Sequence, residues 1–252
     1  MSRLKNKVAV VTGASKGIGA SIAIHMAKEG AKVIVNYASD KNGAEKVVNT
    51  ILDAGGSALA VQGDVAKETD VIRLFEAAER DFGGLDILVN NAGVGQYQPI
   101  EAFTEESFQK QFSINVLGTL LSIREALKLL DSKGGSIINI SSGFSKMPSP
   151  GMLTYSATKA SIDAITVALS KELGAKHIRI NSILPGGVET DGAKAAGVTK
   201  GSDAEKNLIA HTPLGRMGMP GDIAKVAVFL ASDEAAWITG EQISVSGGIY
   251  GF

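Results

Sequence analysis

The residues with chemistry to offer cluster in the middle of the chain. Tyr155 and Lys159 stand four apart in a stretch of helical spacing, so both side chains project from one face. A free phenol ionises near pH ~10 and a lysine near ~10.4. An ammonium beside a phenol favours the phenolate, so Lys159 is expected to lower the Tyr155 pKa towards working pH and make it an acid/base group. From the pair alone, a surface tyrosine with a solvated lysine is the competing explanation. Ser142 closes an apolar run in Ile140-Ser141-Ser142-Gly143. Its hydroxyl can donate to a carbonyl oxygen that gains negative charge during reaction, or it can bond its own backbone in a turn. Ser141 is the rival for that role. No G-x-S-x-G pattern surrounds either serine, so neither reads as a nucleophile. Asn115 lies in Ile114-Asn115-Val116-Leu117-Gly118, where an amide inside an apolar helical segment needs partners. A cap or a local backbone bond is its alternative.

A second group of residues suits a diphosphate. Gly13, Gly17 and Gly19 punctuate Thr12-Gly13-Ala14-Ser15-Lys16-Gly17-Ile18-Gly19, between an apolar run and a helical stretch. Residues without side chains let backbone N–H groups face an anion, and the helix N-terminus adds partial positive charge. The spacing is G-x-x-x-G-x-G, not G-x-G-x-x-G. A glycine turn without a ligand is the alternative.

An acidic side chain about 20 residues past such a loop would bond a ribose 2′-OH and select NAD. Here the next apolar run ends Val35-Asn36-Tyr37-Ala38-Ser39, with no carboxylate at Asn36. Neutral Asn36 does not repel a 2′-phosphate, Ser39 can donate to it and Lys16 can pair with it. NADP(H) is favoured, with NAD(H) left open because Asp40 and Lys41 stand close by.

These residues need a frame. Apolar runs at Val8–Val11, 33–35, 58–61, 85–89, 136–140, 178–184 and 243–245 alternate with helical stretches at about 18–30, 43–54, 68–82, 105–130, 153–175, 203–211 and 222–231. Strands alternating with helices predict an α/β, doubly wound parallel sheet of about seven strands with helices on both faces. No linker divides the chain, so 1–252 reads as one domain. Ligands in such sheets sit beyond the carboxyl ends of the strands. Gly13–Gly19, Asn36–Ser39, Asp64-Val65, Asn90–Gly93 and Pro185–Thr190 all fall at such ends. The stretch 188–201 reads as a mobile loop without strand or long helix.

Taken in order, the glycine loop, Asp64, Asn90-Asn91-Ala92-Gly93, Asn115, Ser142, Tyr155 with Lys159, and Pro185-Gly186 with Thr190 resemble the short-chain dehydrogenase/reductase family over essentially the whole chain. The resemblance implies a single Rossmann domain and reversible hydride transfer between a nicotinamide and a carbonyl or alcohol carbon. By that resemblance Tyr155 is the acid/base and Ser142 positions the carbonyl. Lys159 lowers the Tyr155 pKa and bonds the nicotinamide ribose, and Asn115 holds a water that extends a proton relay from Lys159. Cofactor contacts are implied for Gly13, Ser15, Lys16, Gly17, Ile18, Gly19, Asn36, Tyr37, Ala38, Ser39, Asp64, Val65, Asn91, Ala92, Gly93, Tyr155, Lys159, Pro185, Gly186, Val188 and Thr190. Asp64 could instead cap the following helix. A substrate lid is expected at about 188–212. Gly93, Val94, Gly95, Phe144, Met147 and Met152 are candidates for the pocket wall or the core. The family likeness also implies a homotetramer built on the helices near 105–130 and 153–175, where Ala157, Ala160, Ala164 and Ala168 would allow close packing. The terminal Gly247-Gly248-Ile249-Tyr250-Gly251-Phe252 resembles a second contact region.

Composition trims the alternatives. The 252 residues carry 25 Lys plus Arg against 26 Asp plus Glu, a balance without the basic excess of a nucleic-acid or anionic-membrane binder. Cysteine is absent and only three histidines occur, far apart, so no thiolate nucleophile and no zinc site of ordinary type is expected. No apolar run reaches the ~18 residues of a membrane helix, so a cytoplasmic protein is expected. The expectation is an NADPH-dependent ketone reductase taking a small-molecule carbonyl or alcohol. A 3-oxoacyl carrier-protein reductase, with Lys133 and Lys176 near the mouth, and a sugar-alcohol dehydrogenase are the nearest alternatives. A nucleotide-binding protein without catalysis is the distant one.

Overall fold

The computed structural model of the protein describes residues 2–130 and 134–250. Seven parallel strands form one sheet in the order β3-β2-β1-β4-β5-β6-β7. They are β1 (Val8–Val11), β2 (Lys32–Tyr37), β3 (Ser57–Gln62), β4 (Ile87–Asn90), β5 (Gly135–Ile140), β6 (Ile178–Pro185) and β7 (Gln242–Val245). The inner strands read as unbroken apolar runs because both faces are covered. Ala9, Val11, Val33 and Val35 point to one face, where α1 (Gly17–Lys28), α2 (Lys41–Asp53) and α9 (Pro220–Ala231) pack through Ile22, Met26, Val47, Ile51, Ile223 and Val228. Val10, Ile34, Leu88, Ile137 and Ile180 point to the other. There α3 (Glu68–Phe82), α5 (Gly118–Leu129) and α6 (Leu153–Leu173) supply Leu74, Phe75, Leu121, Ile123 and Leu173. Each fully buried side chain of this size contributes about 1.5–3 kcal/mol.

The strand order reverses between β1 and β4, and the crevice beyond that reversal is where ligands of such sheets bind. Helix α3 matches the expected 68–82 span and stops at Gly83, whose φ of 86° supplies the left-handed turn.

Two expectations change. The stretch 105–130 is not one helix: α4 (Glu105–Phe112) and α5 are joined by a π-helical turn at Ser113–Leu117. The loop expected after Val188 contains a short helix, α7 (Asp191–Ala195), begun by Thr190 accepting from the Ala193 N–H (3.1 Å). Helix α8 (Asp203–Ala210) follows, capped by Ser202. No helix among the described residues is long and apolar enough to cross a membrane.

Candidate active site

The glycine loop is shaped by its neighbours. Gly13 and Gly17 have φ of 60° and 59°, conformations that favour glycine. A Cβ on Gly13 would fall 2.8 Å from Ala92 Cα, so the loop lies directly on the end of β4. Asn91 locks that contact by donating from Nδ2 to the Thr12 and Gly13 carbonyls, both at 2.9 Å. Its Nδ2 also occupies the space that a side chain on Gly19 would need. Thr12 Oγ1 accepts from the backbone N–H of Asn91 and of Ala92, both at 3.0 Å. Helix α1 begins at Gly17 after the N-cap residue Lys16, whose side chain makes no cap bond, so its first-turn N–H groups are left for another acceptor. These N–H groups, glycine backbone and an exposed Lys16 fit the diphosphate of a dinucleotide. Ser15 and Ile18 are half-buried beside them, and Ile18 leans on the core.

Three residues expected to touch the cofactor at the ends of β2 and β3 have their side chains engaged within the fold. Asn36 is only 1 % exposed. Its Oδ1 accepts from the Gly13 N–H (3.1 Å), and its Nδ2 donates to the Val61 and Gly63 carbonyls (3.3 and 3.0 Å). The amide is spent tying the glycine loop to β3 and has nothing left for a phosphate. Tyr37 packs into the core, and Val65 is buried against Gly118. Ala38 and Ser39 are exposed at the rim. Asp40 is committed to α2, accepting from the Gly43 N–H (3.0 Å), and Lys41 pairs with Glu45 (3.5 Å). Asp64 is half-buried and bonds locally, accepting from the Ala66 N–H (3.0 Å); the N-cap of α3 is Lys67, three residues later.

At the end of β6, Pro185 is buried and the Gly186 N–H donates to the Val245 carbonyl (3.1 Å). Val188 is buried beside Gly218, and Thr190 reaches back so that its Cγ2 lies 3.5 Å from where a Cβ on Gly17 would stand. The root of the 188–212 segment therefore rests on the glycine loop.

Tyr155, Lys159 and Ser142 converge between these loops. Lys159 is 5 % exposed and its Nζ donates to the Ile140 carbonyl (2.8 Å). A Cβ on Gly93 would stand in ordinary contact, 3.5 Å from that Nζ, whereas one on Gly95 would stand 2.9 Å from the Tyr155 ring, so position 95 favours glycine. The Ser142 hydroxyl stands close enough to Tyr155 to pull its phenol pKa down, and it accepts from the Phe144 N–H (3.2 Å). Ser141, the rival serine, is buried and donates to the Lys159 carbonyl (3.2 Å). Phe144 stands edge-on to Tyr155 at 6.4 Å. Val94 and Met152 are half-buried, and Met147 is exposed.

The electrostatics differ from expectation. Burial pushes the Tyr155 phenol above its ordinary value, the Ser142 hydroxyl pulls it down, and Tyr250 pushes it up. The expected depression by Lys159 is overridden. Its ammonium sits 5.6 Å from the Tyr155 ring centre and is turned to the Ile140 carbonyl. Burial lowers Lys159 itself to about 8, with Asp163 acting the other way.

Asn115 lies in the π-helical turn with its amide engaged. Oδ1 accepts from the Val94 N–H (2.8 Å); Nδ2 donates to the Val94 carbonyl (2.8 Å) and to Thr158 Oγ1 (2.9 Å). The side chain thus braces the Gly93–Gly95 strip against α6.

Sequence reasoning missed two residues here. Asp163, four residues beyond Lys159, is buried on the same row of α6, and the i, i+4 spacing was the available signal. Tyr250, expected within a second inter-chain contact region, packs on its own chain at this site: its ring covers Gly143 and meets Phe144 edge-on at 6.1 Å. Gly251 and Phe252 lie outside the described residues, as does Lys133. Lys176 precedes β6 and so lies at the end of the sheet away from this site, which removes it from a docking surface at the mouth.

Known proteins match this chain over nearly its whole length. A family model described as enoyl-(acyl carrier protein) reductase matches residues 13–250. An uncharacterized oxidoreductase of Methylorubrum extorquens is 53 % identical over 249 residues, covering 99 % of this chain and all of the relative. The solved structure of the angucycline C-6 ketoreductase LanV with bound NADP superposes with a TM-score of 0.92 at 36 % identity, covering 99 % of this chain and 97 % of that one. The reductase LugOII, whose structure is titled for keto-reduction at C1 during lugdunomycin biosynthesis, gives 0.91 at 36 % identity over 99 % of this chain and 100 % of its own. With that extent of match in both sequence and fold, this chain belongs to the short-chain dehydrogenase/reductase family, oxidoreductases that act on hydroxyl and carbonyl groups with a nicotinamide cofactor.

Proposed function

We propose that the protein is an NADPH-dependent ketone reductase, with Tyr155 as acid/base, Ser142 as the carbonyl-orienting donor and Lys159 as the charge behind Tyr155. The observation that carries this reading is the gathering of three groups: buried Lys159 lies 5.6 Å from the Tyr155 ring centre, and the turn begun by Ser142 packs Phe144 edge-on against that ring. Two neighbouring hydroxyls, Ser142 and Tyr155, would both donate to one substrate oxygen, which is what a carbonyl gaining charge requires. The cofactor supplies hydride when bound. Tyr155 releases its proton to the product oxygen, and Ser142 holds that oxygen in place. Lys159 stabilises the tyrosinate left behind. With its pKa raised by burial, the Tyr155 phenol stays protonated at working pH, as a proton donor to the product oxygen must be.

Preference for NADPH draws support from exposed Lys16 and Ser39 at the rim, and from Asp40 being committed to the α2 cap. It no longer draws on Asn36. The bound NADP named for the ketoreductase LanV points the same way. The 188–212 segment, rooted on Gly17 through Thr190, is the proposed lid. A cytoplasmic homotetramer completes the reading. It is supported by the exposed faces of Ala157, Ala160, Ala164 and Ala168, which do not pack on the chain's own sheet.

The test follows absorbance at 340 nm with NADPH or NADH against aromatic and aliphatic ketones, a 3-oxoacyl thioester and an enoyl thioester. Ketone turnover with NADPH, falling by about 10²-fold or more in Tyr155→Phe, is the expected result. Faster turnover with NADH would overturn the cofactor assignment alone. Reduction of the enoyl thioester but of no ketone would overturn the reaction.

A further inference from the structure

A carboxylate buried behind the candidate site is not used by the chemistry above. Asp163 is 3 % exposed. It follows Lys159 by four residues and Tyr155 by eight, so the three lie along one row of α6. Its Oδ2 accepts from Ser145 Oγ at 2.6 Å and pairs with Lys146 Nζ at 3.5 Å; its Oδ1 accepts from Ser182 Oγ at 3.4 Å. Ser145 belongs to the tight 3-10 turn Gly143–Ser145 that Ser142 initiates, and the Ser145 N–H donates to the Ser142 carbonyl (3.0 Å). One carboxylate therefore grips the segment that carries Ser142 and stands on the row that carries Lys159. A buried charge is costly without compensation, and its compensation here comes from both sides of the site.

We propose that Asp163 is a positioning residue, fixing the Ser142–Lys146 turn and supplying the negative charge that holds Lys159 as an ammonium. The idea rests on the hydride-transfer reading for its consequence but not for its geometry. Few ionisable groups compete. Tyr155 and Asp163 flank Lys159 on α6, Lys146 approaches Asp163 from the turn, and Tyr250 faces Tyr155 from the C-terminal segment. The other described groups against this row are neutral: Ser182 from β6, Gln242 from β7, and Asn115 against Thr158. Asp163 acts to raise the Lys159 pKa against burial, and Lys146 partly neutralises Asp163.

Two substitutions should act in opposite directions. Asp163→Asn keeps the volume and removes the charge, so Lys159 should lose its proton at lower pH. The alkaline limb of ketone reduction should move down by about one pH unit, costing about tenfold in rate between the two limbs. Lys146→Met leaves the carboxylate less neutralised, and the limb should move up. A readout independent of turnover is the NMR titration of lysine labelled at Cε, with the Lys159 signal assigned through Lys159→Arg. Its midpoint should fall in Asp163→Asn and rise in Lys146→Met. Unchanged midpoints, or both variants moving the same way, would overturn the proposal. If Asp163→Asn does not fold, the Lys146→Met titration decides alone: a rise supports the proposal and no rise overturns it. A wild-type chain that reduces no carbonyl would remove the functional reading while the titration still judges Asp163.

Discussion

Lys159 is where function and stability pull apart. Its folded pKa of about 8 lies well below the ~10.4 of an unfolded lysine. Between those values the unfolded chain binds more protons, so stability rises with pH across the window; below about 8 the full cost of burying the charge is present. The shift corresponds to roughly 3 kcal/mol at neutral pH, part of it offset by the bond to the Ile140 carbonyl. Lys159→Met should therefore melt about 5 °C above the wild type at pH 7, with the gap closing towards pH ~10 while activity is lost. Calorimetry at the two pH values checks this, and a variant that melts lower at pH 7 would contradict it. The Tyr155–Lys159 spacing was readable in the chain because four residues is one helical turn. The direction of the tyrosine shift was not, because it depends on burial and on where the Lys159 ammonium points.

The π-helical turn between α4 and α5 is the element that sequence periodicity could not give. A run such as Ser113–Leu117 carries the same apolar pattern whether its bonds close at four residues or five. The fold shows what the extra residue achieves: it turns the Asn115 amide onto Val94 and Thr158 and so braces the glycine-rich strip under Lys159. Asn115→Ala should lose about 2 kcal/mol of stability, since three bonds go and the Val94 backbone is left unpaired. A fall in the urea midpoint is the expected measurement, and an unchanged midpoint would mean the strip is held by other contacts. The buried strands were legible from unbroken apolar runs, and α3 from its amphipathic period and Gly83. Helix α7 was not, because its five residues owe their start to one Thr190 cap and not to an apolar face.

At the scale of the whole molecule, the exposed alanines of α6 lie near exposed Leu117, Leu120 and Leu153 in sequence segments expected to face a second chain. Small and apolar surface of this kind allows helices to approach closely. Ala164→Glu should lower the mass found by light scattering from that of four chains towards one or two, while the isolated subunit keeps its circular dichroism. A wild type that is already monomeric would dismiss the assembly. The Asn36 amide bears on the molecule as a whole, because it fastens the glycine loop to two neighbouring strands at the point where the sheet reverses. Anyone wishing to exchange one nucleotide preference for the other would be tempted to vary position 36, as the last polar residue of its strand. That choice would unpick the scaffold before it touched the recognition. A useful library keeps Asn36 constant and diversifies 16, 38 and 39, where side chains are free to be rewritten.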